Sequence, residues 1–297
     1  MAVQSNLRGI AAMLAATGTF VANDTCVKLA LDGAPLLLVL TMRGAAACLW
    51  CLPILITMGH ARDLGKVFEP WVMLRSLLDA VANFCFVLAL ANMPIADVIA
   101  VVQITPFLVL LGAWLLFGEK IGGFRMLLVA IAITGAILVA QPGGANASPF
   151  ALFGFLTAVG AAGRDIVTRK VPRGTPAMIV TFSTLLAVSL AAGAVSLFLE
   201  TPAIPSSKTV ILIVAAGFFV MCGQLFIYLA YRMAAARAVA PFSYSFMIWA
   251  GLSGFLVFEQ VPNGMAVGGM VLILLSGLVV ILLEGRTRQG ERPVTRA

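Results

Sequence analysis

Charge is scarce in this sequence. Only 10% of its 297 residues are Asp, Glu, Lys or Arg, against roughly 25% in an ordinary soluble domain. Apolar residues make up 62%, and the mean hydropathy is +1.08. Water cannot solvate such a surface, so the solvent is a lipid bilayer. Histidine occurs once, at His60 in a loop. The five cysteines (Cys26, Cys48, Cys51, Cys85 and Cys222) all lie in apolar segments, which argues against a disulfide framework. Cys48-x-x-Cys51 has metal-like spacing, but its second ligand pair is missing, so no metal site is expected. No Gly-rich loop ending in Lys-Ser/Thr exists, which argues against ATP coupling within the chain. No nucleophile and base, and no metal set, gather in one place. An enzyme is not expected, nor any cofactor.

What the sequence does have is long apolar runs. A spanning helix needs about 20 mostly apolar residues. Ten candidates follow one another at 7–29, 35–58, 70–91, 95–117, 124–140, 149–169, 176–199, 208–231, 237–258 and 264–284. Breakers separate them, among them Asp32-Gly33, Pro94, Pro142-Gly143-Gly144 and Pro262-Asn263-Gly264. The first run is long enough to span and has no clear polar stretch after a cleavage site, so it reads as retained rather than as a signal peptide. The polar tail at 285–297 reads as a disordered cytosolic end.

Lys and Arg placement sets the orientation. With the N-terminus inside, 16 of the 19 basic residues fall on the inner side, and only Lys28, Arg43 and Lys208 fall on the outer half. Both termini are therefore expected in the cytoplasm. This topology accounts for the net charge of +7, and nucleic acid is not expected as a partner.

The chain also repeats itself. Met93 to Glu119 aligns without a gap on Met233 to Glu259, a shift of 140 that pairs Ala96 with Ala236, Ala100 with Ala240 and Leu116 with Leu256. A shift of 141 pairs Asp24 with Asp165, Lys28 with Arg169, Gly33 with Gly174 and Pro35 with Pro176. The expected fold is all-α: ten spans as two five-helix repeats, 1–141 and 149–284. The odd span number inverts the second copy. Inverted repeats meeting at the bilayer midplane are a common transporter plan.

Polar residues inside the spans mark the candidate site. A charge at a helix centre costs about 2.5–3.5 kcal/mol, so it should face protein or a water-filled cavity. Asp79 lies near the expected midplane with Asn83 one turn on. Its reading is a proton site or a partner for a substrate ammonium; the plainer alternative is a clamp with Arg75. Asn83 corresponds to Gln224, followed by Tyr228. Gln103-Ile104-Thr105-Pro106 and Pro241-Phe242-Ser243-Tyr244-Ser245, then Trp249, form matching interruptions in spans 4 and 9. Such broken helices point to a transport site, with Pro106 and Pro241 as hinges. Asp24 with Lys28, and Asp165 with Arg169, are i,i+4 pairs near helix ends and read as salt bridges or gates; Arg43 extends the outer network toward Asp24 or Asp97. Small residues crowd spans 1 and 6, so both should pack centrally.

Ten spans, the duplication, Glu119 and Glu259 closing spans 4 and 9, Asn23-Asp24 with Lys28, and Ala240-Pro241-Phe242-Ser243-Tyr244 together resemble the EamA family of the drug/metabolite transporter superfamily. The likeness covers nearly the whole chain. It implies an inner-membrane carrier, similar to the YddG-type amino-acid exporters, whose central cavity is formed by helices 1, 3, 4, 6, 8 and 9. Riboflavin and S-adenosylmethionine carriers are also similar, and those import. The leading expectation is a bacterial inner-membrane exporter of amino acids or similar small metabolites, working as a monomer. The alternatives are an importer of a larger metabolite and a channel.

Overall fold

The structure, a computed structural model, describes residues 2–118, 122–141, 148–172, 174–201, 203–234 and 239–290. Among these residues every regular element is a helix and ten spans are long and apolar enough to cross a membrane: span 1 Leu7–Ala30, span 2 Leu36–Thr57, span 3 Pro70–Asn92, span 4 Ile95–Leu116, span 5 Gly123–Ala140, span 6 Ala151–Thr168, span 7 Ala177–Leu199, span 8 Ser207–Met233, span 9 Ala240–Phe258 and span 10 Gly264–Leu283. The chain is a multi-pass membrane protein.

Punctuation residues set the span ends. Pro35, Pro94 and Pro176 precede spans 2, 4 and 7, and Pro70 opens span 3, where a missing N–H costs nothing. Gly59 and Gly118, at φ 77° and 66°, follow spans 2 and 4 in the left-handed conformation that releases a chain from a helix. Glu200, at the end of span 7, accepts from Leu37 N at 2.8 Å and Leu38 N at 3.0 Å, so a carboxylate caps the positive N-terminus of span 2. The last helix continues to Gly290, past Gly285 where the tail was expected to begin. No proline interrupts it before Pro293, and Arg and Gln are good helix formers. Residues 291–297, and Glu119 with its expected role at the end of span 4, lie outside the described residues.

Each helix of the first half packs chiefly on one of the second. Span 1 lies along span 8 and span 3 along span 6; span 2 packs on spans 7 and 8, span 7 on spans 2 and 3, and span 5 on span 10. Adding or subtracting five from every span number returns the same set of pairs. Spans 1 with 8 and 3 with 6 make the most extensive contacts between the two halves. A methyl group on Gly217 of span 8 would stand 2.8 Å from Ala46 Cβ, 2.9 Å from Ala47 N and 3.0 Å from Arg43 O. Backbone cannot step aside, so Gly217→Val should cost about 1–3 kcal/mol by overpacking, read as a lower unfolding temperature in nanodiscs. An unchanged midpoint would show that spans 2 and 8 have slack. Large apolar side chains such as Leu197 and Phe198 remain exposed, as a lipid-facing surface requires.

The contacts at the two ends differ in character. One end joins Lys28 to Leu90 O and Met93 O, Gln260 to Ile95 N, and Gln141 to Asn263. The other end is basic: Lys66 donates to Gly174 O at 2.8 Å, and Lys170 stands over the Trp71 ring. There, in the 3-10 segment His60–Phe68, a hydrogen bond from Lys66 holds the Asp63 carboxyl below the usual carboxylate range. Cys48 and Cys51 are free thiols packed in an apolar cluster with Leu55, Met178 and Met221.

Candidate functional site

Span 3 carries the framework. Arg75, Asp79 and Asn83 are spaced by four and so share one face. Asp79, 6% exposed, accepts from Arg164 Nη1 of span 6 at 2.7 Å. The same guanidinium donates through Nε to Asp165 at 2.9 Å, so two carboxylates flank one arginine. Asn83 donates to Asp79 O and accepts from Arg43 Nη2 of span 2 at 2.8 Å. Arg43 is 5% exposed, and its charge acts on both Asp24 and Asp79. Arg75 donates to Thr168 at 3.0 Å and to Thr184 at 2.8 Å, hydroxyls of spans 6 and 7. On span 1, Asn23 Nδ2 donates to Asp24 Oδ1 at 2.8 Å.

These groups border a central cavity of about 440 Å³. Apolar walls from Phe20, Phe86, Val220 and Phe246 complete it. A second cavity of about 600 Å³ lies toward the basic end, between Pro172, Thr175, Tyr228, Tyr231 and Arg232. Arg75, Thr181, Gln224 and Ile227 border both, so the two chambers share a wall. Both volumes fall in the range that takes a drug-sized ligand.

The interruption of span 4 is locally healed. Pro106 has no N–H to give to Val102 O, and Thr105 Oγ1 donates to that carbonyl instead at 2.6 Å. Gln103, Thr105 and Pro106 border the central cavity. In span 9, Pro241 lies in a 3-10 turn, Ala240–Tyr244, before the α-helix resumes at Ser245.

The family can now be stated from comparison with known proteins. The EamA-like transporter family matches residues 7–141. A riboflavin transporter of Rhizobium johnstonii is 31% identical over 81% of this chain and 79% of its own length. The chain belongs to the EamA-like transporter family. That family is part of the drug/metabolite transporter superfamily. A pseudopaline exporter of Pseudomonas aeruginosa is 26% identical over 95% of this chain and 97% of its own length. An S-adenosylmethionine uptake transporter of Rickettsia prowazekii is 22% identical over 78% of this chain and 79% of its own. A solved crystal structure shares the fold at a TM-score of 0.64 and 19% identity, over 97% of this chain and 99% of that one.

Within this EamA-family fold the residues singled out in the sequence divide. Asp79, Asn83, Gln103, Gln224, Asp24, Arg43 and Pro106 meet at the central cavity, and Tyr228 borders the second one, where Arg232 Nη1 reaches its hydroxyl at 3.3 Å. Ser243, Tyr244 and Trp249 border neither. The Ser243 hydroxyl turns back to Ala240 O, Tyr244 is buried against Gly277 of span 10, and Trp249 crosses Gly18 of span 1 with 39% of its surface exposed. The pairings also differ from the expected ones. Lys28 spends its charge on the carbonyls of Leu90 and Met93 rather than on Asp24, which lies beside Asn23 and Arg43. Asp165 is held by Arg164. Asp79 pairs with Arg164 rather than with Arg75 one turn away. Arg164 is the principal residue that sequence reasoning missed as a site group. It had been counted only as an inner-side charge, although a guanidinium within the run 149–169 carried the same cost signal as Asp79.

Proposed function

We propose that this protein is a secondary transporter of the bacterial inner membrane that exports amino acids and related carboxylate-bearing metabolites. The observation that carries the reading is the central cavity, where Arg75 meets hydroxyls only and stands at the wall shared with the vestibule on the basic end. A guanidinium so placed is suited to a substrate carboxylate. Two inverted five-span halves rocking around this cavity give alternating access. Three findings support that arrangement. The packing pairs map onto one another when the halves are exchanged. The EamA match ends at residue 141, where the first copy ends. The contacts at each bundle end join the termini of spans that an inverted copy brings together, such as the end of span 7 with the start of span 2. The basic end is cytoplasmic on the positive-inside rule. One chain encloses the path, so the working unit is a monomer.

The family and the relatives are transporters, and the pseudopaline exporter is alignable along almost the whole chain. Reconstituted protein should exchange labelled amino acids across liposomes. Asp79→Asn should lower that flux about tenfold or more, since the pair with Arg164 organises the cavity. Flux equal to that of the unmodified protein removes Asp79 from the mechanism, and no flux of any amino acid removes the substrate class. A second reading, import of a larger metabolite such as riboflavin or S-adenosylmethionine, is favoured by the 31% identical riboflavin transporter and by the added space of the second cavity. Rescue of a riboflavin auxotroph would decide for it.

A further inference from the structure

Of the three arginines at the central cavity, Arg164 is ion-paired with Asp79 and Asp165, and Arg43 donates to the Asn83 amide oxygen. Arg75 feels the charges of Asp79 and Asp165 but has no carboxylate within ion-pair distance among the described residues, and its two bonds go to threonine hydroxyls. At the other end of the same cavity stands the reverse deficit. Asn23 is 3% exposed, and its Oδ1 has no hydrogen-bond partner among the described residues. Its Nδ2 group is given to Asp24 Oδ1, so the atom left free is the oxygen.

The cavity therefore has an anion-seeking pole at Arg75 and a donor-seeking pole at Asn23 and Asp24. Eight residues of helix separate Arg75 from Asn83, which is about 12 Å at 1.5 Å per residue. Asn83 accepts from Arg43, whose charge acts on Asp24, so the pole at Asn23 and Asp24 lies toward the Asn83 end of that rise. Phe20, Phe86, Val220 and Phe246 wall the cavity along that stretch. In an α-amino acid the ammonium and carboxylate share one carbon, so it engages one pole at a time, whereas an amino acid with its amine remote from the carboxylate engages both.

We infer that the substrate is an elongated solute with an anionic group at one end, bound by Arg75, an N–H donor at the other, bound by Asn23 Oδ1 beside Asp24, and an apolar middle. This rests on the transport reading above and narrows its substrate class. The recognition is one of length as much as of charge.

The probes are glycine, 8-aminooctanoate, octanoate and octylamine, titrated into the full chain in nanodiscs. The two-ended compound should bind at least tenfold more tightly than glycine and than either one-ended analogue. Arg75→Gln should weaken 8-aminooctanoate and octanoate about tenfold and leave octylamine unchanged. Asn23→Ala should weaken 8-aminooctanoate and octylamine and leave octanoate unchanged. Arg75→Lys should keep part of the carboxylate preference, which separates lost charge from lost folding. The inference is overturned if the two-ended compound gains nothing over its analogues, if none of the four binds, or if Arg75→Gln weakens all ligands alike. Amino-acid flux in liposomes from the same preparation reports separately on the transport reading. Flux with a flat series removes the two poles and keeps the transporter; a steep series without amino-acid flux keeps the poles and removes amino acids as cargo.

Discussion

Arg164→Met should destabilise the protein by about 3–5 kcal/mol, the usual penalty for removing one partner of a buried ion pair. Asp79 is 6% exposed, and its carboxylate takes Arg164 Nη1 at 2.7 Å. No other basic residue stands within ion-pair distance of it among the described residues. Arg75 lies one turn away but is directed to Thr168 and Thr184. Met keeps the length and the apolar stem of the side chain, so the change isolates the charge. The converse change is milder, because Arg164 keeps Asp165 at 2.9 Å when Asp79 becomes Asn. The double variant Asp79→Leu with Arg164→Met should recover most of the loss, since an apolar pair of similar volume escapes desolvation altogether. Unfolding in nanodiscs across the four proteins measures the coupling. A loss below about 1 kcal/mol for Arg164→Met would show that cavity water screens Asp79 and that the pair holds nothing together.

That pair also shows where sequence reading runs out. Apolar run length is a local property, and so the ten spans were legible to within a few residues: 70–91 became Pro70–Asn92 and 176–199 became Ala177–Leu199. The break at Gln103 to Pro106 was legible because proline lacks an N–H wherever it stands. The cost of Asp79 in lipid named it as a site residue. Its partner was not legible, because i,i+4 spacing offers Arg75 on the same helix and says nothing of span 6, which packs across it. The same blindness applied to Lys28: the nearest carboxylate in sequence was Asp24, whereas the nearest acceptors in space are two carbonyls at the end of span 3. Hydroxyls such as Thr168 and Thr184 carry no cost signal at all, since they bond their own helix when nothing else is near. Trp249 erred the other way. An aromatic four residues beyond a broken helix looked like a cavity wall, but its helix face turns to Gly18.

Lys28→Met should shift the balance between closed and open outer ends by about 100-fold. The Lys28 ammonium donates to Leu90 O at 2.6 Å and to Met93 O, and stands 5.5 Å from the centre of the Phe258 ring. The carbonyls ending a helix have no partner within it, so a cation there completes the last turn of span 3 and binds it to spans 1 and 9 at once. Outward opening must part these three spans. Hydrogen bonds to a charged group contribute about 1.5–3 kcal/mol each. At the lower figure the two bonds sum to about 3 kcal/mol, and each 1.4 kcal/mol is a factor of about ten in population. The open state is not left without a partner for the ammonium. The charges of Asp32 and Asp97 both act on Lys28, and Asp97 Oδ1 is buried with no hydrogen-bond partner among the described residues. Transfer of Lys28 from the two carbonyls to Asp97 would offset part of the opening cost in the unmodified protein, and Met forgoes both partners. Spin labels at Ala34→Cys and Val261→Cys, in a background with the five native cysteines replaced, report the outer separation. The Lys28→Met protein should populate the longer distance, and Lys28→Arg should keep the shorter one. Identical distance distributions in all three proteins would mean that Lys28 only caps span 3, and that the outer end is held shut by the apolar contacts around it.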